Sequence, residues 1–227
     1  MKGVFITFEG IEGSGKSTQI VLLANYLASH VKGVTLTREP GGTEIGDQVR
    51  KILLDPANRA LDPKAELLLY AAARAQHLEE LVRPDLESGR IVLCDHFSDA
   101  TLAYQGYGRG LDVDMIRALD RMVTAGLRPD LTVLLDIDAA AGLARARGRN
   151  NSRGLEAEAR FENEDLAFHE RVRQGYLTLA KSEPDRFRVV EAKAAPDEIQ
   201  NRIRKIVDDV LRDAELEREN WKLKNAR

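Results

Sequence analysis

The feature that most restricts this chain is an eight-residue run, Gly10-Ile11-Glu12-Gly13-Ser14-Gly15-Lys16-Ser17, set between two different apolar rhythms. Before it, Val4, Ile6 and Phe8 alternate as in a strand; after it, Ile20, Leu23, Ala24 and Leu27 recur at helical spacing. The run satisfies G-x-x-x-x-G-K-[ST] at a strand-to-helix turn, where a glycine-rich backbone can wrap a phosphate chain. Glycines let backbone N–H groups approach phosphate oxygens closely, and the helix N-terminus adds partial positive charge. Lys16 is placed to reach the β- and γ-phosphates of a nucleotide, and Ser17 to offer its hydroxyl to Mg²⁺. With Thr18, these residues form the candidate nucleotide cradle. The motif alone leaves kinase, ATPase and GTPase open.

Further strand candidates are Val34 to Thr37, Ile91 to Cys94, Leu131 to Ile137 and Phe187 to Val190, separated by helical patterns. Two of those patterns are Glu66 to Val82 and the series Phe161, Phe168, Val172, Tyr176 and Leu179. Five strands alternating with helices predict a three-layer α/β P-loop fold, its five-stranded parallel sheet flanked by helices. At 227 residues the chain has room for one such domain. It is expected over residues 1–211, with 212–227 a charged, helical, solvated extension.

A net charge of −3 excludes a protein that coats nucleic acid, since such binders carry basic stripes, so any phosphate ligand is expected to be small. No window approaches the roughly 18 apolar residues of a membrane span, and the N-terminus runs straight into a strand pattern without signal-peptide features. A soluble, cytoplasmic protein is expected. The single cysteine, Cys94, ends an apolar run and reads as a buried structural thiol. His30, His77 and His169 show no metal-ligand spacing and read as surface or helix residues.

Three further segments decide among the P-loop chemistries. They are Phe8-Glu9-Gly10-Ile11-Glu12; Thr37-Arg38-Glu39-Pro40-Gly41-Gly42-Thr43 with Arg50 beyond it; and Tyr70-Ala71-Ala72-Ala73-Arg74 joined to Cys94-Asp95-His96-Phe97 and Thr101-Leu102-Ala103-Tyr104-Gln105-Gly106. Together they resemble the bacterial thymidylate kinase family over most of residues 1–180. The resemblance implies phosphoryl transfer from Mg-ATP to deoxythymidine monophosphate (dTMP), giving dTDP and ADP, by a homodimer.

Position by position, the resemblance implies the following roles. Glu12 holds the sugar 3′-hydroxyl of the acceptor. Arg74 donates to the thymine edge, and Tyr70, one helical turn earlier, stacks on the base. Thr101 and Gln105 line the base pocket, and Tyr104 fills the space of a ribose 2′-hydroxyl. Glu39 belongs to the acceptor side; Arg50 grips its phosphate with a planar fork. Asp95, at a strand's carboxyl end, organises the water shell of Mg²⁺. On the residues alone, Tyr70 reads as core and Arg74 as a surface cation.

One position departs from the family pattern. His96 stands where the family has arginine, and an ordinary imidazole is mostly neutral at pH 7 and lacks the paired donors of a guanidinium. A basic lid is expected around residues 145–160, with Arg145, Arg147, Arg149 and Arg153 free of intervening acids. The resemblance to the bacterial branch of the family implies that this lid supplies the transition-state arginine where the phosphate loop contains none; Arg149 and Arg153 are favoured, with Arg147 close behind. Arg160 is left unassigned.

Overall fold

A computed structural model describes residues 3–31, 33–153 and 160–225, with side chains described except at 149–153 and 215–225. Strands β1 (Val4–Glu9), β2 (Val34–Arg38), β3 (Ile91–Asp95), β4 (Leu131–Asp136) and β5 (Phe187–Glu191) form one parallel sheet in the order β2-β3-β1-β4-β5. Each strand falls within a residue or two of its expected range. The alternation at Val4, Ile6 and Phe8 suggests a half-buried strand, yet all six residues of β1 are buried. Its central place explains this, because Phe5 and Thr7 point to a second covered face. Thr7 is accommodated there by Thr132 on the neighbouring strand, hydroxyl to hydroxyl at 2.9 Å.

The two faces pack differently. On one, Val4, Ile6, Ile91 and Leu93 join Ile20, Leu23 and Leu27 of helix α1 (Lys16–Ala28) and Ile199, Ile203 and Val207 of α9 (Pro196–Asn225). On the other, Phe5, Val92, Cys94 and Phe97 meet Leu78, Val82 and Leu86. Cys94 is fully buried and unpaired, and burial pushes its thiol well above the ordinary range. Helix α9 runs through residue 211 without a break, so the charged extension continues an existing helix.

Polar caps set the helix starts. The Thr43 hydroxyl accepts from the Gly46 amide at 3.0 Å and opens α2 (Glu44–Leu54); Asp62 does the same for α3 (Pro63–His77), which begins on a proline. The expected helix over Glu66 to Val82 corresponds to α3 followed by a π-helical turn, Leu78–Val82, and the short α4 (Arg83–Glu87). After β3 come α5 (Ser98–Thr101), a second π-helical segment, Leu102–Gly108, and α6 (Val113–Thr124). Helix α7 (Ala139–Arg153) follows β4, and α8 (Leu166–Ser182) starts later than the spacing suggests. Asp165 caps it, accepting from the Phe168 amide at 2.6 Å. Phe161 therefore lies in the preceding turn, yet it still stacks on Phe168 with ring centroids 6.2 Å apart.

Strand order reverses on either side of β1, and the carboxyl ends of β1 and β3 open there into a crevice. In open parallel sheets that is where ligands bind.

Candidate active site

The crevice holds a cavity of about 540 Å³, within the range of small-molecule sites. Its floor is the glycine-rich loop between β1 and α1. A Cβ at Gly13, which has φ 70°, would meet the Gly142 carbonyl oxygen at 2.0 Å, so only glycine fits against α7. Lys16 folds back across the loop, its Nζ donating to the carbonyls of Gly10 at 2.7 Å and Ile11 at 2.9 Å. Next to it, the Ser17 hydroxyl donates to Asp95 Oδ2 at 2.8 Å. Asp95 Oδ1 is buried and has no hydrogen-bond partner among the described residues.

Three carboxylates surround this floor, Glu9 and Glu39 buried and Glu12 half-buried, each held by donors from distant parts of the chain. Glu12 accepts from the Tyr104 hydroxyl at 2.7 Å and pairs with His169 Nδ1 at 3.0 Å. Burial alone would raise its carboxyl, but the His169 bond, followed by the charges of His169 and Lys16, brings it down to about 2. Tyr104 moves the opposite way, well above its ordinary value, through burial first and the Glu12 charge second.

Glu39 sits 2.8 Å from Arg74 Nε and 2.9 Å from His77 Nδ1. Burial opposes its charge, and the Arg74 cation and the His77 bond outweigh that and hold the carboxyl below the usual range. Arg74 spends its other nitrogens on Asp120 Oδ1 at 3.2 Å and Thr101 Oγ1 at 2.8 Å. The third acid, Glu9, accepts from the Phe97 amide at 2.8 Å and the Tyr176 hydroxyl at 2.7 Å, and lies 2.8 Å from His96 Nδ1. His96 adopts φ 67°, which turns its ring from the end of β3 toward the cavity.

Most of the expected site residues come together in this one cavity. Glu12, Gly13, Gly15, Lys16, Ser17, Thr18, Glu39, Arg50, Tyr70, Asp95, His96, Thr101, Tyr104 and Gln105 all line it. Gly10, Ile11 and Ser14 lie just beneath, in the loop that frames it. Arg74 is not on the wall: with 3% of its side chain exposed, it stands one layer behind, between Glu39 and Thr101. The residue-only reading of Arg74 as a surface cation is thus overturned, while Tyr70, read as core, is half-buried against the core and also faces the cavity.

Of the lid arginines, Arg145 donates to the Ala192 carbonyl at 3.0 Å and Arg147 to that of Glu162 at 3.0 Å. The side chains of Arg149 and Arg153 lie outside the described residues.

Two residues read as surface or helix positions take part in the site. His77 and His169 are on helices as expected, but both are buried and bonded to cavity carboxylates. One sequence signal was available for His169: with Val172 and Tyr176 it falls at i, i+3 and i+7, on the inward stripe of α8.

A family model described as thymidylate kinase matches residues 8–203. The chain belongs to the thymidylate kinase family. Among curated relatives, the thymidylate kinase of Syntrophotalea carbinolica is 58% identical over 199 residues, covering 88% of this chain and 92% of that one. That of Desulfovibrio desulfuricans is 51% identical over 210 residues, covering 92% and 97%. The crystal structure of thymidylate kinase from Ehrlichia chaffeensis superposes with a TM-score of 0.75 at 36% identity, covering 91% of this chain and all of that one. The parallel sheet and flanking helices are therefore those of a thymidylate kinase.

Proposed function

We propose that this chain transfers the γ-phosphoryl group of ATP to dTMP, giving dTDP and ADP. The observation that carries this reading is a single cavity lined at once by the phosphate loop, by Arg50 and His96, and by Tyr70, Thr101, Tyr104 and Gln105. That set suits the phosphates of a nucleotide donor, an acceptor phosphate and a base. Glu12, ionised and held on both oxygens, is suited to accept from a sugar hydroxyl, and the Tyr104 ring beside it leaves little room for a second one.

Catalysis here needs positioning more than proton abstraction. The acceptor is a phosphate monoester with a second pKa of about 6, already largely dianionic at neutral pH. Of the described cations on the cavity wall, Lys16, Arg38 and Arg50, we assign Lys16 and Arg50 to the transferring and accepting phosphates, with Arg149 and Arg153 of the lid assigned to the transition state by family resemblance. Mg²⁺ suits the corner formed by the Ser17 hydroxyl and the otherwise unpartnered Asp95 Oδ1, since it takes oxygen ligands from one carboxylate and substrate phosphates. When bound it supplies charge neutralisation at the phosphates.

We assign the working form to a homodimer in the cytoplasm. Ile45 and Ile52 on α2, Leu68 on α3 and Met115 and Met122 on α6 are exposed apolar side chains on three helices, and they support self-association. Among the described residues no helix is long and apolar enough to cross a membrane.

The deciding experiment is ADP release from Mg-ATP with each nucleoside monophosphate in turn, beside a control without acceptor. Stimulation by dTMP with dTDP formed is the expected result. Fast hydrolysis indifferent to any acceptor would instead indicate a nucleotide-driven switch.

A further inference from the structure

Glu66, in the first turn of α3, does not line the cavity, yet it is fully buried and gathers four donors. Its Oε1 accepts from Gln105 Nε2 at 2.7 Å and from Arg109 Nε at 3.3 Å; its Oε2 accepts from Arg109 at 3.3 Å and from Arg160. The arginines are themselves fixed. Arg160 also donates to the Leu53 carbonyl at 2.5 Å, and Arg109 pairs with Glu164 at 2.6 Å while lying over the Phe168 ring.

A carboxylate flanked by two guanidinium groups accepts hydrogen bonds and offers none. A glutamine amide has a donor end and an acceptor end of almost the same shape, and only its surroundings decide which way it faces. Glu66 makes that decision for Gln105, because the nitrogen end must face the carboxylate. The oxygen end is left over, and no described protein group bonds to it. Gln105 is itself one of the cavity-lining residues, close along the chain to Thr101 and Tyr104.

We propose that Glu66 is a positioning residue for base selection: by holding the Gln105 amide in one orientation, it makes the cavity present a carbonyl acceptor to the incoming base. This rests on the reading of Tyr70, Thr101 and Gln105 as the base wall. A fixed acceptor favours a base whose ring nitrogen carries a hydrogen, as the imide of thymine and uracil does. It disfavours cytosine, whose N3 would place a lone pair against the amide oxygen. Arg160 extends the arrangement, because it ties the segment following the lid to the same carboxylate and so couples that segment's seating to the orientation of Gln105.

The test compares kcat/KM for dTMP and for 5-methyl-deoxycytidine monophosphate, which share the methyl group and differ at the hydrogen-bonding edge. Glu66→Gln keeps the volume but can donate as well as accept, so Gln105 is free to turn. The dTMP preference is expected to fall about tenfold or more, chiefly through a gain on the cytosine nucleotide. A residue that only supports the fold would lower both values together, and an unchanged ratio in the folded variant overturns the proposal.

Should Glu66→Gln not fold, Gln105→Met leaves the Glu66–arginine cluster intact and removes the acceptor. The ratio then falls through a loss on dTMP, and a ratio equal to wild type overturns the proposal equally. A wild-type chain inert toward dTMP would overturn the thymidylate reading as well; one active on dTMP whose ratio neither variant moves overturns the selecting role of Gln105, and with it that of Glu66, and leaves the thymidylate reading standing.

Discussion

His169 Nδ1 lies 3.0 Å from Glu12 Oε2, joining a helix late in the chain to the phosphate loop across 157 positions. His169 is buried and Glu12 half-buried, and the contact keeps an acid ionised beside a site built for anions. That pairing has a pH signature. Glu12 moves from an ordinary 4.5 down to about 2, so its contribution to stability is present above the unfolded value and is lost as pH falls toward 2. The shift corresponds to stabilisation on the order of 3 kcal/mol.

In the wild-type enzyme Glu12 therefore gives no acid limb to the kcat/KM profile between pH 5 and 8. In His169→Leu the carboxyl rises, an acid limb enters that window, and kcat/KM for dTMP falls roughly tenfold through the lost charged hydrogen bond. His169→Gln, which can still donate, recovers most of it. Profiles of the three proteins that coincide would refute a positioning role for His169.

Lys16 donates to two carbonyls of its own loop, which keeps the ammonium at the cavity floor. Lys16→Met leaves the loop glycines in place and removes the cation. A loss of about 10² to 10³ in kcat is expected, as for removal of one preorganised donor to a developing charge. Tritiated dTMP binding, followed separately, should change little.

His96, where the sequence resemblance leads to the expectation of an arginine, faces the cavity with Nδ1 against Glu9. An arginine there can pair with the same carboxylate and offer further donors to an acceptor phosphate. His96→Arg is expected to raise kcat/KM for dTMP by about three- to tenfold, the scale of one added charge-assisted hydrogen bond. A value equal to or below wild type, measured by coupled ADP release, would count against it.

Arg74 neutralises Glu39 and Asp120 from a position almost closed to solvent. Removing it by Arg74→Met strands two acids, at a cost of about 3–5 kcal/mol. For a chain of this size that lowers Tm by roughly 10 °C, readable by differential scanning calorimetry. Adding Glu39→Gln to the same protein should restore part of the loss.

Much of the architecture was legible because it depends on short-range rhythm. Strand ranges, the strand-loop-helix around Gly10 to Ser17, and the helix beginning near Glu66 all follow from spacing and composition within about twenty residues. The site's wall was legible through the family's segments. What escaped depends on pairing between remote segments. The acids near His77 and His169 in the chain, Glu79, Glu80 and Glu170, are not their partners, because Glu39 and Glu12 reach them only once the sheet has formed. Tyr70 and Arg74 share a helix face, and Arg74 is drawn behind the cavity wall by Glu39 just after β2, Thr101 on α5 and Asp120 on α6. The start of α8 was misjudged because Phe161 keeps its stacking contact with Phe168 without belonging to the helix.

The turn at Ala125–Gly126, where both residues have positive φ, separates four acids of the interior from donors that help to hold them. Glu9, Glu12, Glu66 and Asp99 lie on the first half, and Tyr176, His169, Arg160 and Arg186, which hold them, lie on the second. Expressed as two polypeptides severed at that turn, neither half could satisfy its own interior, and each would be the other's obligate partner. Phosphoryl transfer would then return only on reassembly, which makes the protein a natural candidate for a fragment-complementation reporter.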